Sequence, residues 1–135
     1  SFGIWNAEFT QGYTPAETGM DRWIDWTKDS FVGSHAASVE LNGNGPNRRL
    51  VTLEVNADGA DASGYEPIWS NDKMVGFVTS GGYGHTMKKS YAMALVDTEL
   101  AKEGIDLTVH IVGVERKATV IAPSPYDPSG KAMRN

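Results

Sequence analysis

The stretch Ile68-Trp69-Ser70-Asn71-Asp72-Lys73-Met74-Val75-Gly76-Phe77-Val78-Thr79-Ser80-Gly81-Gly82-Tyr83-Gly84-His85-Thr86-Met87-Lys88-Lys89-Ser90-Tyr91 decides how the rest of the chain is read. Two apolar-rich runs flank Asn71-Asp72, a pair that tolerates positive φ, and this predicts a tight hairpin. Directly after it, Gly81, Gly82 and Gly84 permit a backbone path closed to other residues and leave Tyr83 and His85 standing on it. The reading is a glycine loop over Thr79 to Thr86, with Ser90 to Val96 resuming as a strand, so that a candidate ligand loop is held at both ends by sheet. The competing assignment is a long hairpin loop whose glycines serve only for bends.

Working outward, the other segments favour the same class. Arg49 to Val55 alternates, with Val51, Leu53 and Val55 on one face, and Ile105 to Val112 alternates with Ile105, Leu107, Val109 and Ile111 on one face. Gly113-Val114-Glu115 is expected to turn the chain into a strand over Arg116 to Ala122. Val75, Phe77, Val120 and Ile121 join the expected inward set. Short strands at regular spacing indicate a mainly β fold, an antiparallel six-stranded barrel-like domain with short helices at its rim, since closure removes exposed edges.

The rim elements are read from capping signals. Thr14-Pro15-Ala16-Glu17 predicts a helix start with Thr14 as N-cap and Glu17 completing a capping box, stopped by Gly19. Met20 to Trp26 reads as a short extended segment. Ser34 is expected to cap a helix over His35 to Leu41, ended by Asn42-Gly43-Asn44-Gly45-Pro46, and Asp97 to cap one turn ending before Gly104. Asn56 to Tyr65 is a loop, and Pro123, Pro125 and Pro128 forbid further sheet in the tail. Phe2, Ile4, Trp5 and Phe9 show no period and predict an apolar patch, or shelter against a neighbour.

Composition bounds the function. The 135 residues suffice for one domain with a core, and the net charge of −5, with no Lys or Arg run longer than two, offers no footprint for nucleic acid or an anionic membrane. No apolar run approaches the ~20 residues a membrane-spanning helix needs, and no secretory signal is visible. The absence of cysteine excludes disulfides and thiol chemistry and fits a reducing compartment, cytoplasm or mitochondrial matrix. Because the chain starts at Ser1 rather than Met, an excised piece of a larger protein is expected.

No residue pattern specifies catalysis by itself. His35, His85 and His110 are too scattered for a zinc site. Gly-Xaa-Ser-Xaa-Gly does not occur, and Gly81-Gly82-Tyr83-Gly84 lacks the Gly-Lys-Ser/Thr ending and following helix of a phosphate cradle. Acidic pairs such as Asp21 and Asp25 are more often solvated than catalytic.

A resemblance adds what the residue types do not. Tyr13-Thr14-Pro15-Ala16-Glu17-Thr18-Gly19-Met20-Asp21-Arg22 and Lys28-Asp29-Ser30-Phe31-Val32-Gly33 resemble the aminomethyltransferase family, the glycine cleavage T-protein and its relatives. Gly45-Pro46-Asn47-Arg48-Arg49-Leu50-Val51, Pro67-Ile68-Trp69, Val75-Gly76-Phe77-Val78-Thr79-Ser80-Gly81 and Lys89-Ser90-Tyr91-Ala92-Met93-Ala94 follow in the family's order, from about Tyr13 to Pro125. The glycine-rich variant, with Trp69 and the Pro-rich tail, is most similar to the C-terminal part of sarcosine and dimethylglycine dehydrogenases, where the module follows an FAD domain.

The resemblance implies residues 1–33 as the end of a folate-binding catalytic domain, 34–122 as the C-terminal barrel and 123–135 as a tail. It implies tetrahydrofolate shared with a preceding catalytic domain, FAD elsewhere in the parent protein, and a methylated amine as the parent's small-molecule substrate. The carboxylate that assists amine attack has no counterpart here, so no catalytic residue is assigned. Glu17, Tyr83 and, by its place beside Tyr83, His85 are the implied folate-facing residues. A carboxylate accepts paired pterin N–H groups, and a tyrosine packs on or bonds the aminobenzoyl-glutamate. A non-catalytic folate-binding or interaction module is the alternative.

Overall fold

The computed structural model describes residues 3–134. Six strands close into one antiparallel barrel in the order β1-β4-β3-β2-β5-β6, β6 returning to pair with β1. They are β1 (Arg48–Val55), β2 (Pro67–Ser70), β3 (Lys73–Gly84), β4 (Lys89–Asp97), β5 (Asp106–Ile111) and β6 (Val114–Ile121). Helix α1 (Pro15–Thr18), helix α2 (Ser34–Asn42) and single 3₁₀ turns at Asp21–Trp23 and Thr98–Leu100 lie outside it. Among the described residues no helix is long and apolar enough to cross a membrane.

Period-2 patterning fills the barrel as expected. Leu53, Val55, Val75, Leu107, Val109, Ile111 and Val120 are buried together with Ile68, Val78, Ala92, Ala94, Val96 and Ala118. Phe77 and Ile121 depart from the expected inward set, and both remain only partly buried. The register slips on β3 explain Phe77. One irregularity faces Ile68/Trp69 and a second lies between Val78 and Ser80, so Gly76 and Val78 follow Val75 inward and Phe77 turns out beside Leu95. Ile121 pairs with Thr52 on the outer face, where the Thr52 hydroxyl donates to the Pro123 carbonyl at 3.3 Å.

The glycine loop is corrected outright. Residues Thr79 to Gly84 are strand, and the connection to β4 is the short turn over residues 85–88. The glycines serve close approach instead: a Cβ on Gly81 would stand 2.4 Å from the Ala62 carbonyl oxygen, and one on Gly76 2.1 Å from that of Leu95.

Other corrections are local. Met20 to Trp26 is no strand: Asp21–Trp23 form a single 3₁₀ turn and Ile24 leaves it extended, because a closed barrel leaves no edge for the segment to pair with. Helix α2 is entered through Gly33 at φ 87°, and the Ser34 side chain caps nothing. It buries none of its residues. Asp97 does precede a helical turn, but its carboxylate accepts from Lys73 at 2.9 Å instead of capping backbone. The β5–β6 turn comes one residue early, with Val112 at φ 50° and Gly113 at φ 79° as the two central residues of a primed turn.

A β-branched side chain in the left-handed region is strained, and Val112 is 82 % exposed, so it gains no burial in return. Val112→Gly should raise stability by about 1 kcal/mol, the relief of that strain less glycine's larger unfolded-state freedom. Urea titration checks this, and a loss of stability would show that the Val112 side chain has a packing role.

The capping box is formed as read. Thr14 Oγ1 accepts from the Glu17 amide at 3.2 Å, and Glu17 Oε2 accepts from the Thr14 amide at 3.0 Å. Gly19, at φ 70°, ends the helix. Of the expected apolar N-terminal patch, Ile4 and Trp5 are exposed and Phe9 is half-buried; Phe2 lies outside the described residues.

Candidate functional site

The expected site residues fall into two places. Tyr83 and His85 stand where β3 ends, their rings edge-on at 5.1 Å. Tyr83 lines an open cavity of about 560 Å³ bounded by the end of β1, the following loop through Asp61, and Lys88, Lys89, Lys117 and Thr119. Within it Ser90 Oγ donates to Asp61 Oδ1 at 2.6 Å, and Lys89 donates to both Glu54 oxygens at 2.6 and 2.7 Å. The Lys89 ammonium is held above its ordinary pKa by the Glu54 hydrogen bond and charge. Lys88 and Lys117 form no ion pair among the described residues. The cavity thus offers a half-exposed aromatic ring beside two cations outside any ion pair, which outnumber the one such carboxylate, Asp61, a pairing suited to an aromatic ligand that carries carboxylates.

Glu17 is elsewhere. Tyr83 is level with Ser90 and through it with Val55, whereas Arg48, the partner of Glu17, sits at the other end of β1. Seven residue steps along the strand make that roughly 23 Å. Glu17 is buried, with Oε1 accepting from Arg48 Nε and Nη2 at 3.3 and 3.2 Å and Oε2 from Thr14. Arg48 in turn lies over the Tyr13 and Phe77 rings, 6.0 and 5.8 Å from their centroids. The structure therefore joins Tyr83 to His85 and leaves Glu17 in a separate cluster.

That cluster contains residues the sequence did not single out. Glu8 is 0 % exposed, accepting from Ser80 Oγ at 2.6 Å and from the Ile4 amide at 2.8 Å. It pins the N-terminal segment to the outer face of β3. No periodicity surrounds Glu8, so its burial had no signal in the sequence. His110 stacks on Trp69 at 5.4 Å, and among the described residues no cluster suited to a metal ion occurs.

Comparison with known proteins places the chain. The glycine cleavage T-protein C-terminal barrel domain matches residues 48–127, which takes in all six strands. Mitochondrial dimethylglycine dehydrogenase of Rattus norvegicus is 33 % identical over 121 residues, covering 90 % of this chain and 14 % of the relative. Aminomethyltransferase of Acidobacterium capsulatum is 34 % identical over 126 residues, covering 93 % of this chain and 33 % of the relative. The fold is also that of glycine cleavage system aminomethyltransferase T from Bartonella henselae, with a TM-score of 0.73, 24 % identity and coverage of 81 % of this chain and 31 % of that one. The chain thus spans between about a seventh and a third of the proteins it matches, and over that span it belongs to the glycine cleavage T-protein C-terminal barrel family.

Proposed function

We propose that this chain acts as the C-terminal, folate-proximal barrel of a tetrahydrofolate-dependent aminomethyltransferase or of an amine-demethylating flavin oxidoreductase of the dimethylglycine or sarcosine dehydrogenase type. The observation that carries the reading is the family match across the whole barrel combined with relatives of both enzyme kinds at similar identity. In such a protein tetrahydrofolate supplies the nitrogens that accept a one-carbon unit, and a flavin, in the dehydrogenase type, accepts the hydride. The preceding catalytic domain and the methylated amine belong to the parent protein, in the cytoplasm or the mitochondrial matrix.

The residues present suit one end of folate. Tyr83 is half-exposed over the cavity with His85 against its edge, so its ring can pack on the aminobenzoyl group, and Lys88 and Lys117 can take the glutamate carboxylates. Glu17 suits the pterin less directly, because both of its oxygens are already hydrogen-bonded. Its part in this reading is to hold Arg48 and the approach to α1, with any pterin N–H competing against Thr14 and Arg48.

Tyr83→Ala in the full-length parent protein should weaken tetrahydrofolate binding by about 1–2 kcal/mol, the scale of one aromatic contact plus a hydrogen bond. Calorimetric titration measures it, with thermal melting as the control for folding. Equal affinities in two folded proteins would make Tyr83 a rim residue and overturn this placement of folate.

A further inference from the structure

Asn42-Gly43-Asn44-Gly45-Pro46, the run that ends α2, holds the chain's two Asn-Gly steps. An asparagine before a glycine is open to attack by the glycine's backbone nitrogen on its side-chain carbonyl carbon, since no Cβ hinders the approach. The fold separates the two steps. Asn42 is the last residue of α2, and a helical ψ turns the next nitrogen away from the side-chain carbonyl. Asn44 lies beyond the helix and exposed, and Gly45 follows it at φ 73° with nothing within 4 Å of where a Cβ would stand. What restrains the Gly45 nitrogen is its hydrogen bond to the Glu40 carbonyl of α2, at 3.1 Å. Attack needs that nitrogen without its proton, the condition that also governs hydrogen exchange, so the bond to Glu40 must open first. Helix α2 is poorly built to keep it closed: it has 9 residues, no side-chain cap at its N-terminus and no buried residue. Its tie to α1 is the Thr14 hydroxyl, which donates to Glu40 Oε1 at 2.9 Å.

We propose that Asn44 is a self-modification site gated by α2. When the last turn opens, a bond forms from the Gly45 nitrogen to Asn44 Cγ, the Cγ–Nδ2 bond breaks, and ammonia leaves with the proton that the amide gave up. Water, the sole co-reactant, then opens the resulting succinimide at either carbonyl and leaves aspartate or isoaspartate. Isoaspartate adds a methylene to the backbone before Gly45, so the bond to Glu40 does not close again. Either product also sets a new carboxylate beside the C-terminus of α2, where the helix dipole disfavours negative charge. The change stops at Pro46, which is buried and whose carbonyl, like that of Asn47, accepts from Thr98. The outcome is a slow, one-way release of α2 from α1 with the barrel intact. Asn44 does not line the Tyr83 cavity, so the site stands or falls independently of the folate reading.

The test holds the 135-residue chain in warm, mildly alkaline buffer and quantifies conversion at each asparagine over time by digestion and mass spectrometry. Asn44 should convert first, well ahead of the exposed Asn47 and Asn71, which precede Arg48 and Asp72 rather than glycine. Ala37→Gly, inside α2, should speed conversion at Asn44 about fivefold and Gly45 amide exchange by the same factor, the ratio that this change gives a helix's opening equilibrium. Asn71 should keep its rate, and the converted chain should keep the Tm of the barrel. Urea below the barrel's transition should raise the same two rates in the unaltered chain, which decides the matter even where Ala37→Gly fails to fold. Conversion at Asn44 no faster than at Asn47 or Asn71, conversion of Asn42 ahead of Asn44, an Asn44 rate indifferent to both Ala37→Gly and urea, or a lowered Tm in the converted chain would each overturn the proposal.

Discussion

Gly76→Ala should destabilise the barrel by about 3–4 kcal/mol, which for a chain of this size is roughly 10–15 °C of Tm. The added Cβ would stand 2.1 Å from the Leu95 carbonyl oxygen and 2.9 Å from the Val96 Cα, both backbone atoms of the neighbouring strand. A side chain could rotate away, but backbone in a ladder cannot move without breaking pairs on both of its sides. The loss therefore exceeds the usual cost of one extra methyl in a core. Gly82→Ala is the matched control: nothing lies within 4 Å of its Cβ, and its φ is not in the left-handed region. That change should be neutral or slightly stabilising, through the lower entropy of the unfolded chain. Thermal melts of the two variants side by side check the contrast. Equal Tm values would mean that β3 and β4 can slide apart at Gly76, and that the glycines of this strand are there for reasons other than close approach.

The contrast also shows why the centre of the sequence was only half legible. The Asn71-Asp72 hairpin could be read because its turn chemistry is local, and Asn71 does take positive φ, at 53°. The alternation of β1 and β5 could be read because each has one face in a closed core. Glycine, however, signals two opposite things, a bend or a contact with another backbone, and only the neighbouring strand tells them apart. The carbonyls of Ala62 and Leu95, residues far from Gly81 and Gly76 in sequence, decided for contact. The same limit misplaced Phe77, since a bulge is a pairing event between strands and leaves no period in one of them.

The candidate site was legible where residues share a loop and illegible where they meet across the fold. Tyr83 and His85 adjoin in sequence and touch in space. Glu17 carried two readings, a folate-facing carboxylate and a capping box; the capping box is formed, and Arg48 from a distant strand takes the remaining oxygen. Glu8 and Ser80 are 72 residues apart, and neither has a motif to announce their hydrogen bond. A buried carboxylate is a tertiary fact, visible only once the segment around it has been laid on the barrel.

Leu95→Ala should cost about 3 kcal/mol, as large as a loss inside the barrel, and should act on a different part of the molecule. Leu95 is fully buried yet is no member of the barrel's internal cluster. It pairs with Leu50 on one side and Phe77 on the other, both on the outer face, the face to which Tyr13, Glu17 and Glu8 tie the N-terminal segment through Phe77, Arg48 and Ser80. Removing its methyl groups would leave a void between β4 and that segment, and a void forfeits both the transfer free energy and the packing contacts of its lining. Leu53→Ala, inside the barrel, should cost a similar amount but loosen all six strands together. Native-state hydrogen exchange separates the two cases, because amides open in cooperative units of differing stability. For Leu95→Ala the amides of Ala7, Glu8 and Tyr13 should lose protection well before those of β1 and β6. If all amides lose protection in step, the N-terminal segment and the barrel form one cooperative unit, and the outer face is no separate layer.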